Sequence, residues 1–401
     1  MPEAMVLQSS FSRSHNSSPH HSPSFNLNVM QLNAWLIPVR PAFPRCLDFH
    51  TLTRAKRMAV WLEDQVVNKH LDIAILQEVW TPWRSVVAAA IHSAFCCQLF
   101  GRALIEQTLQ KVLPYFTKVA GSYPCDCTKR FFDSGLMIAS RFPIVAQEFK
   151  IYPSGSPHDA LSSKGVLVAA LRRPDGSVVI AASSHLDAGS DDQVKLAQLR
   201  MAVALIRDFS KKTAANHPIA ARIFGSDMNI DGVEFWSTSS SYAVARRLLE
   251  KEGFEDSWLL TPRDVPHADD LLKRNYGPDT HPQLGITSDQ HECVKRLDYL
   301  WVDPVGESEP IQEEMTEISI ASDGPSKTAL RKFGVSAKTE LNDGLEWRSS
   351  PVMRAEVQAA LDKGDEGLAR RLAVQIDLHD RQQRLSDHAA LFASFHFSQH
   401  K

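Results

Sequence analysis

The chain has 401 residues, of which 43% are hydrophobic, 23% charged and 8% aromatic; such proportions exclude a collagen, a coiled coil or a wholly disordered chain. The 44 Lys plus Arg nearly balance 47 Asp plus Glu, so there is no overall basic field to hold nucleic acid or an acidic bilayer at long range. Six cysteines (Cys46, Cys96, Cys97, Cys125, Cys127, Cys293) are too few for a disulfide scaffold and lack the paired spacing of a zinc ribbon, so they read as reduced or structural thiols.

Residues 1–28 contain eight serines with scattered His and Pro, and without apolar periodicity they read as a disordered lead-in to a single domain over 29–398. They also lack the charged start and apolar run of a secretory signal. The first strand is expected over VMQLNAW, from Val29. A helix from about Thr53 to Asn68 follows, with Ala55, Met58, Ala59, Leu62 and Val66 on one face. LDIAIL then reads as a buried strand ending at Gln77 and Glu78. The longest apolar stretch, Ser85 to Cys97, is interrupted by His92 and Ser93 and is shorter than a membrane span. Further strands are expected at GLMIAS, GVLVAAL, SVVIAASSH, ARIFGSD, RLDYLWV and HAALFASFHF, with helices over 193–210 and 242–252. The Pro-Asp-Gly of RRPDG marks a hairpin between GVLVAAL and SVVIAASSH. The acidic, Gly/Ser/Thr-rich stretch from Pro304 begins a surface insertion running to about residue 380, with a helix from Pro351 capped by Ser350. Hairpins mixed with helical crossovers give an α/β (α+β) protein with a mixed sheet, or two sheets face to face with helices outside.

Polar residues gather where those strands end: Asn33, Glu78, His185, Asp227 with Asn229, Asp298, and Asp387 with His388. Rigid sheets converge such positions on a common site. Each residue alone has an ordinary explanation, Glu78 as a solvated turn residue, His185 as a satisfied histidine, Asp227 as a helix cap. Together they supply oxygen ligands for a hard cation, two imidazoles, and carboxylates able to orient a water or an imidazole. Phosphodiester cleavage needs those parts. No GxSxG elbow for a serine hydrolase is present.

The ordered series LNAW, LQEVW, DSGLMIASRFPI, SSHLDA, GSDMN, RLDYLW and SDHAAL resembles the endonuclease/exonuclease/phosphatase superfamily, the deoxyribonuclease I-like fold, over residues 29–397. LNAWLIP, LQEVW, SGLMIASRFPI and above all DALSSKGVLVAAL resemble its neutral sphingomyelinase branch. The resemblance implies a four-layered α/β/β/α sandwich and a Mg²⁺ site, with Mn²⁺ as a substitute, at Glu78, Asn33 and Asp387. It implies that Asp227 orients or activates the attacking water and that Asn229 contacts a phosphate oxygen. His388, oriented by Asp298, acts as general base or stabilises the transition state. His185 stabilises the phosphate or helps the leaving group depart. Lys164, Asp159 and Asn229 lie on the substrate side. For Lys164 and Asp159 the ordinary alternatives are a solvated lysine and a turn carboxylate.

A lipid substrate requires contact with the bilayer, and Trp80, Trp83 and the cluster Lys129, Arg130, Phe131, Phe132 offer aromatics beside cations, unless those rings are core. The leading expectation is therefore a Mg²⁺-dependent phosphodiesterase cleaving sphingomyelin or a related sphingophospholipid to ceramide and a phosphorylated headgroup. It docks peripherally on membranes from the cytoplasm, without a transmembrane segment and without nucleic acid. The alternative is a metal-dependent nuclease on the same catalytic set, disfavoured by the acidic balance and the lack of a Lys/Arg stripe. An inositol-phosphate phosphatase and a scaffold that lost its chemistry are weaker readings.

Overall fold

The computed structural model describes residues 24–36, 49–80, 101–121, 132–153, 155–156, 159–189, 191–232, 239–260, 295–304, 335–342, 359, 362–363, 388 and 390–397. Alternation along the strands sorts their side chains onto two apolar faces, so each sheet must be covered twice. One sheet has the order β11-β12-β1-β2-β4-β3, built from Phe25–Asn33 (β1), Ile73–Gln77 (β2), Tyr115–Phe116 (β3), Met137–Ser140 (β4), Val335–Asn342 (β11) and Ala390–Phe397 (β12). The other has the order β5-β6-β7-β8-β10-β9, from Ile144–Ile151 (β5), Gly165–Arg172 (β6), Val178–His185 (β7), Ile219–Asp227 (β8), Glu255–Asp256 (β9) and Asp298–Asp303 (β10). The pairs β1/β2 and β7/β8 are parallel and the remaining pairs antiparallel, so both sheets are mixed.

Three apolar layers hold the sandwich together. Leu27, Val29, Ile73, Ile75, Ala181, Ile223 and Leu300 lie between the sheets. Met30, Leu32, Ala74 and Leu76 face the other way. They meet Ala55, Met58, Ala59, Leu62 and Val66 of α1 (Phe49–Asn68) and Ile105 and Leu109 of α2 (Gly101–Leu109). On the far side Val168, Ile180 and Phe224 pack on α3 (Asp192–Ala214) and α4 (Ser241–Glu250). This is the expected four-layered α/β/β/α arrangement, and the apolar face read from the sequence of α1 is the face that is buried. Both outer helices start on caps: Asp191 accepts from the Val194 N–H at 3.1 Å and Ser240 from the Ala243 N–H at 3.2 Å. The RRPDG segment closes the β6–β7 hairpin. Gly176 has φ +87°, and the Asp175 carboxylate accepts from the Ser177 N–H at 3.0 Å.

Differences from the sequence expectations fall at edges. β1 starts at Phe25, so ordered structure reaches into the segment read as a lead-in to residue 28. β5 carries no clear strand signal because it is an edge strand whose residues are half-buried or exposed and partly polar, including Gln147, Glu148 and Lys150. β11 lies within the 304–380 stretch read as a surface insertion and pairs with β12 along its whole length. Its neighbours' acidic and Ser-rich composition hid it. Of the helix expected from Pro351, Ala359 and Asp362 are helical and the rest lies outside the described residues.

Ile223 sits fully buried between the sheets on central strand β8. Replacing it with alanine is expected to cost about 2–5 kcal/mol, since a close-packed interlayer collapses poorly onto a cavity. Chemical denaturation measures it, and a loss below about 1 kcal/mol would mean that the layer relaxes freely.

Candidate active site

The sequence-predicted residues arrive at one end of the two sheets by strand register. Asn33 ends β1 opposite Gln77 of β2, which delivers Glu78 immediately beyond. His185 ends β7 level with Asp227, the end of β8, and Asp227 is opposite Asp298, the start of β10. His388 lies just before β12. All six side chains are buried.

Asn33 ties the two sheets' carboxylates together: its Nδ2 donates to Glu78 Oε1 at 3.1 Å and to Asp227 Oδ2 at 2.9 Å. The same Asp227 oxygen lies 3.4 Å from His185 Nε2 and 3.8 Å from His388 Nε2. The other His388 nitrogen, Nδ1, is 2.6 Å from Asp298 Oδ2, a short hydrogen bond that fixes the plane and tautomer of the ring. His185 Nδ1 has no hydrogen-bond partner among the described residues, the nearest carboxylate being Glu78 Oε1 at 3.9 Å. Burial, reinforced by the Lys164 ammonium, pushes the His185 imidazole down to about 3, so it is neutral near physiological pH.

Backbone conformation marks the same place. Among the described residues, the non-glycine residues with left-handed backbone are Trp35, His70, Glu78 and Asn229, and three of these four flank the cluster. A non-glycine residue in this region costs about 1–2 kcal/mol and persists when its surroundings enforce it. At Glu78 (φ 55°) the enforcement comes from the peptide unit that follows it, held at both its carbonyl and its N–H. Leu36 N–H donates to the Glu78 carbonyl at 3.1 Å, and Val79 N–H donates to the Gly135 carbonyl at 2.8 Å. At Asn229 (φ 49°) the backbone N–H donates to Asp227 Oδ1 at 3.0 Å, while Lys195 Nζ donates to the Asn229 carbonyl at 2.7 Å.

Substrate-side residues meet at a single carbonyl. Lys164 Nζ donates to the Leu186 oxygen at 2.9 Å and Asn229 Nδ2 donates to it at 3.1 Å. Lys164 also pairs with Asp159 at 2.9 Å, and Asp159 accepts from the Ala188 N–H at 2.9 Å. These contacts bring the DALSSKG segment against the loop that follows His185. Asp387 lies outside the described residues.

Glu78, Asp227 and Asp298 bring three acidic side chains into a buried site with two histidines and Lys164. That oxygen-rich donor set fits a divalent cation, and Asp227, Asp298 and His388 offer ligand atoms within 4.8 Å of one another. In the latter group, however, Asp298 Oδ2 and His388 Nδ1 are engaged with each other.

Of the aromatic residues considered for membrane contact, Trp80 is not on the surface. It is 8% exposed, and its ring fills the space beside Gly135 (φ +64°), where an added Cβ would lie only about 3.0 Å from the indole. Phe132 meets that ring edge-on, the centroids 6.0 Å apart. For Trp80 this is the core alternative rather than the interfacial one. Trp83 and Lys129, Arg130 and Phe131 lie outside the described residues. No described helix is long and apolar enough to cross a membrane.

Sequence reasoning passed over four residues beside the site: Gln31, Gln77, Ser183 and Lys195. Gln31, Gln77 and Ser183 are each 0% exposed. Their signal is a polar residue at the inward parity of an otherwise apolar strand, as in Leu27, Val29, Gln31.

Residues 24–323 match the model of the Endonuclease/Exonuclease/phosphatase family. A sphingomyelinase of Dictyostelium discoideum is 26% identical over 331 residues, covering 68% of this chain and 69% of the relative. Sphingomyelin phosphodiesterase 5 of Danio rerio is 25% identical over 245 residues, 51% of this chain and 45% of that protein. Sphingomyelin phosphodiesterase 3 of Mus musculus is 31% identical over 121 residues, 28% of this chain and 18% of that protein. The chain thus spans less than half the length of the two animal relatives. The crystal structure of SmcL superposes over 92% of this chain and 98% of its own, with a TM-score of 0.50 and 16% identity, a likeness of fold.

Proposed function

This chain belongs to the endonuclease/exonuclease/phosphatase family, and from that premise we propose that it is a metal-dependent phosphodiesterase of sphingomyelin or a related sphingophospholipid. The products are ceramide and the phosphorylated headgroup. The observation that carries the reading is the buried Asp298–His388–Asp227 arrangement, in which one carboxylate orients an imidazole whose other nitrogen faces a second carboxylate. The choice of lipid over nucleic acid rests on the Asp159–Lys164 pair of DALSSKG and on the sphingomyelinase names of the relatives.

Glu78 is the principal oxygen ligand for a Mg²⁺ or Mn²⁺ ion, with Asn33 arranging it and Asp387 completing the site. When bound, such an ion neutralises a phosphate oxygen and makes the phosphorus more electrophilic. Asp227, held by Asn33 and the Asn229 N–H, orients the attacking water. His388 takes its proton as the new P–O bond forms, and Asp298 balances the charge gained by the ring. Neutral His185 donates a hydrogen bond to a phosphate oxygen or to the departing ceramide oxygen, which takes its proton from solvent water as its bond to phosphorus breaks. Lys164 and the Asn229 amide bind the remaining phosphate oxygens. The protein approaches the bilayer peripherally.

The test is hydrolysis of sphingomyelin in mixed micelles with Mg²⁺ or EDTA, alongside phosphatidylcholine and DNA. Mg²⁺-dependent sphingomyelin turnover is expected, stopped by EDTA and restored by excess Mg²⁺ or Mn²⁺. Lys164→Ala is expected to lower lipid turnover about tenfold or more through the loss of a charged phosphate contact. DNA cleavage without lipid turnover, indifferent to Lys164→Ala, would overturn the substrate assignment.

A further inference from the structure

Beneath the active site lies a layer of buried amides that no step above uses. The inter-sheet face of β1 reads Leu27, Val29, Gln31, Asn33, and that of β2 reads Ile73, Ile75, Gln77. On β7 it reads Val179, Ala181, Ser183, His185. Each strand therefore passes from apolar floor to an uncharged polar residue near the level where site residues begin. A Leu or Met at position 31 would pack without a polar penalty, whereas Gln31 is 0% exposed and its Oε1 has no hydrogen-bond partner among the described residues. An unmade buried acceptor costs about 1–3 kcal/mol, so local packing does not explain the amide.

Its donor end does. Gln31 Nε2 gives one hydrogen bond to Asp298 Oδ1 at 2.9 Å and one to Gln77 Oε1 at 2.8 Å, engaging both of its N–H groups. Gln77 Nε2 in turn donates to Ser183 Oγ at 3.1 Å, and Ser183 Oγ donates to the Leu76 carbonyl at 3.3 Å. The chain of bonds joins the two sheets at two places, β1 to β10 and β2 to β7. Asp298 is thereby gripped by Gln31 on one oxygen while the other meets His388 Nδ1 at 2.6 Å.

We propose that Gln31 is a positioning residue for the phosphodiesterase reaction, braced by Gln77, which stops the Asp298 carboxylate from rotating and so keeps His388 aimed at the reacting water. This rests on His388 acting at the phosphorus as proposed above. Gln31 does not touch substrate. Its loss removes the hydrogen bond that holds Asp298 Oδ1, and His388 then spends less time in the productive orientation.

The decisive variant is Gln31→Met, of similar length but without the donors and without the orphaned oxygen. Turnover of sphingomyelin in mixed micelles is expected to fall about tenfold in kcat with KM changed less than about twofold, the pattern of lost orientation with retained binding. The thermal unfolding midpoint is expected to stay level or rise. In the His388→Ala background Gln31→Met is expected to add no further loss. A readout independent of activity is the downfield ¹H resonance of the His388 Nδ1–H, assigned by its absence in His388→Gln. It is expected to shift or broaden in Gln31→Met. Wild-type kcat together with an unmoved resonance would sink the proposal. If wild type leaves sphingomyelin intact, the substrate reading fails, while the resonance still decides the role of Gln31. Should Gln31→Met fold poorly, Gln77→Met removes the brace and is expected to move the same resonance; an unmoved one counts against the proposal.

Discussion

His388→Ala is expected to lower sphingomyelin kcat by about 10³-fold, within the range seen when a general acid–base group is removed, with an unfolding transition close to that of wild type. Two features make the effect large. The imidazole is buried and already aligned, Nδ1 on Asp298 at 2.6 Å and Nε2 toward Asp227 at 3.8 Å, so no reorganisation precedes proton transfer. And the neighbouring histidine cannot replace it, because burial and Lys164 hold His185 neutral and poorly basic. Asp298→Asn is expected to reproduce part of the loss, since an amide can hold the ring but does not balance its positive charge. Single-turnover measurements with Mg²⁺ give the values. A His388→Ala enzyme within about tenfold of wild type would remove His388 from the proton transfer.

Glu78→Ala is expected to abolish the Mg²⁺ response as well as turnover, with losses of about 10³-fold or more, because the ion's main oxygen ligand goes with the side chain. Its backbone offers an internal control. Glu78 lies at φ 55°, where glycine is at ease and alanine is not. Glu78→Gly is expected to be as inactive as Glu78→Ala but more resistant to urea by about 1 kcal/mol. Equal stability of the two would show that the turn after β2 relaxes. Retained Mg²⁺-dependent turnover in either would place the ion elsewhere, with the Asp227, Asp298 and His388 group the next set to test.

The parts of this site that the sequence made legible are those whose chemistry is rare for their position. Asn33, Glu78, His185, Asp227 and Asp298 interrupt or end apolar runs, and the register of parallel and antiparallel neighbours brings them level. Gln31 and Gln77 are as unusual on paper, but an amide inside a strand carries no charge to attract notice. Their role depends on which strands of opposite sheets face each other, and local periodicity does not encode that. The edge strands escaped for a related reason. β5 packs on one neighbour only, so a polar sequence is tolerated. β11 hides among residues of low apolar content. Trp80 left two readings open in the sequence, an interfacial ring or a core one, and the left-handed Gly135 decides for the core by opening a slot that buries it. Lys195 lies in the helix expected over 193–210 with nothing in its sequence setting to mark it, yet its ammonium donates to the Asn229 carbonyl.

The position of β12 bears on how the protein comes into being. β12, the last of the described strands along the chain, is inserted between β11 and β1, and residues as far apart as Asn26 and His396, 370 positions along the chain, are hydrogen-bonded neighbours. While this polypeptide is still being extended on the ribosome, β1 has an open flank, Asp298 lacks its imidazole, and the first sheet offers bare backbone to any passing strand. Closing so long a loop is slow and leaves the nascent chain dependent on protection from aggregation. The same order of events withholds the proposed phosphodiesterase centre from every shorter nascent chain: the Asp298–His388 pair forms only when the late segment returns to the first strand.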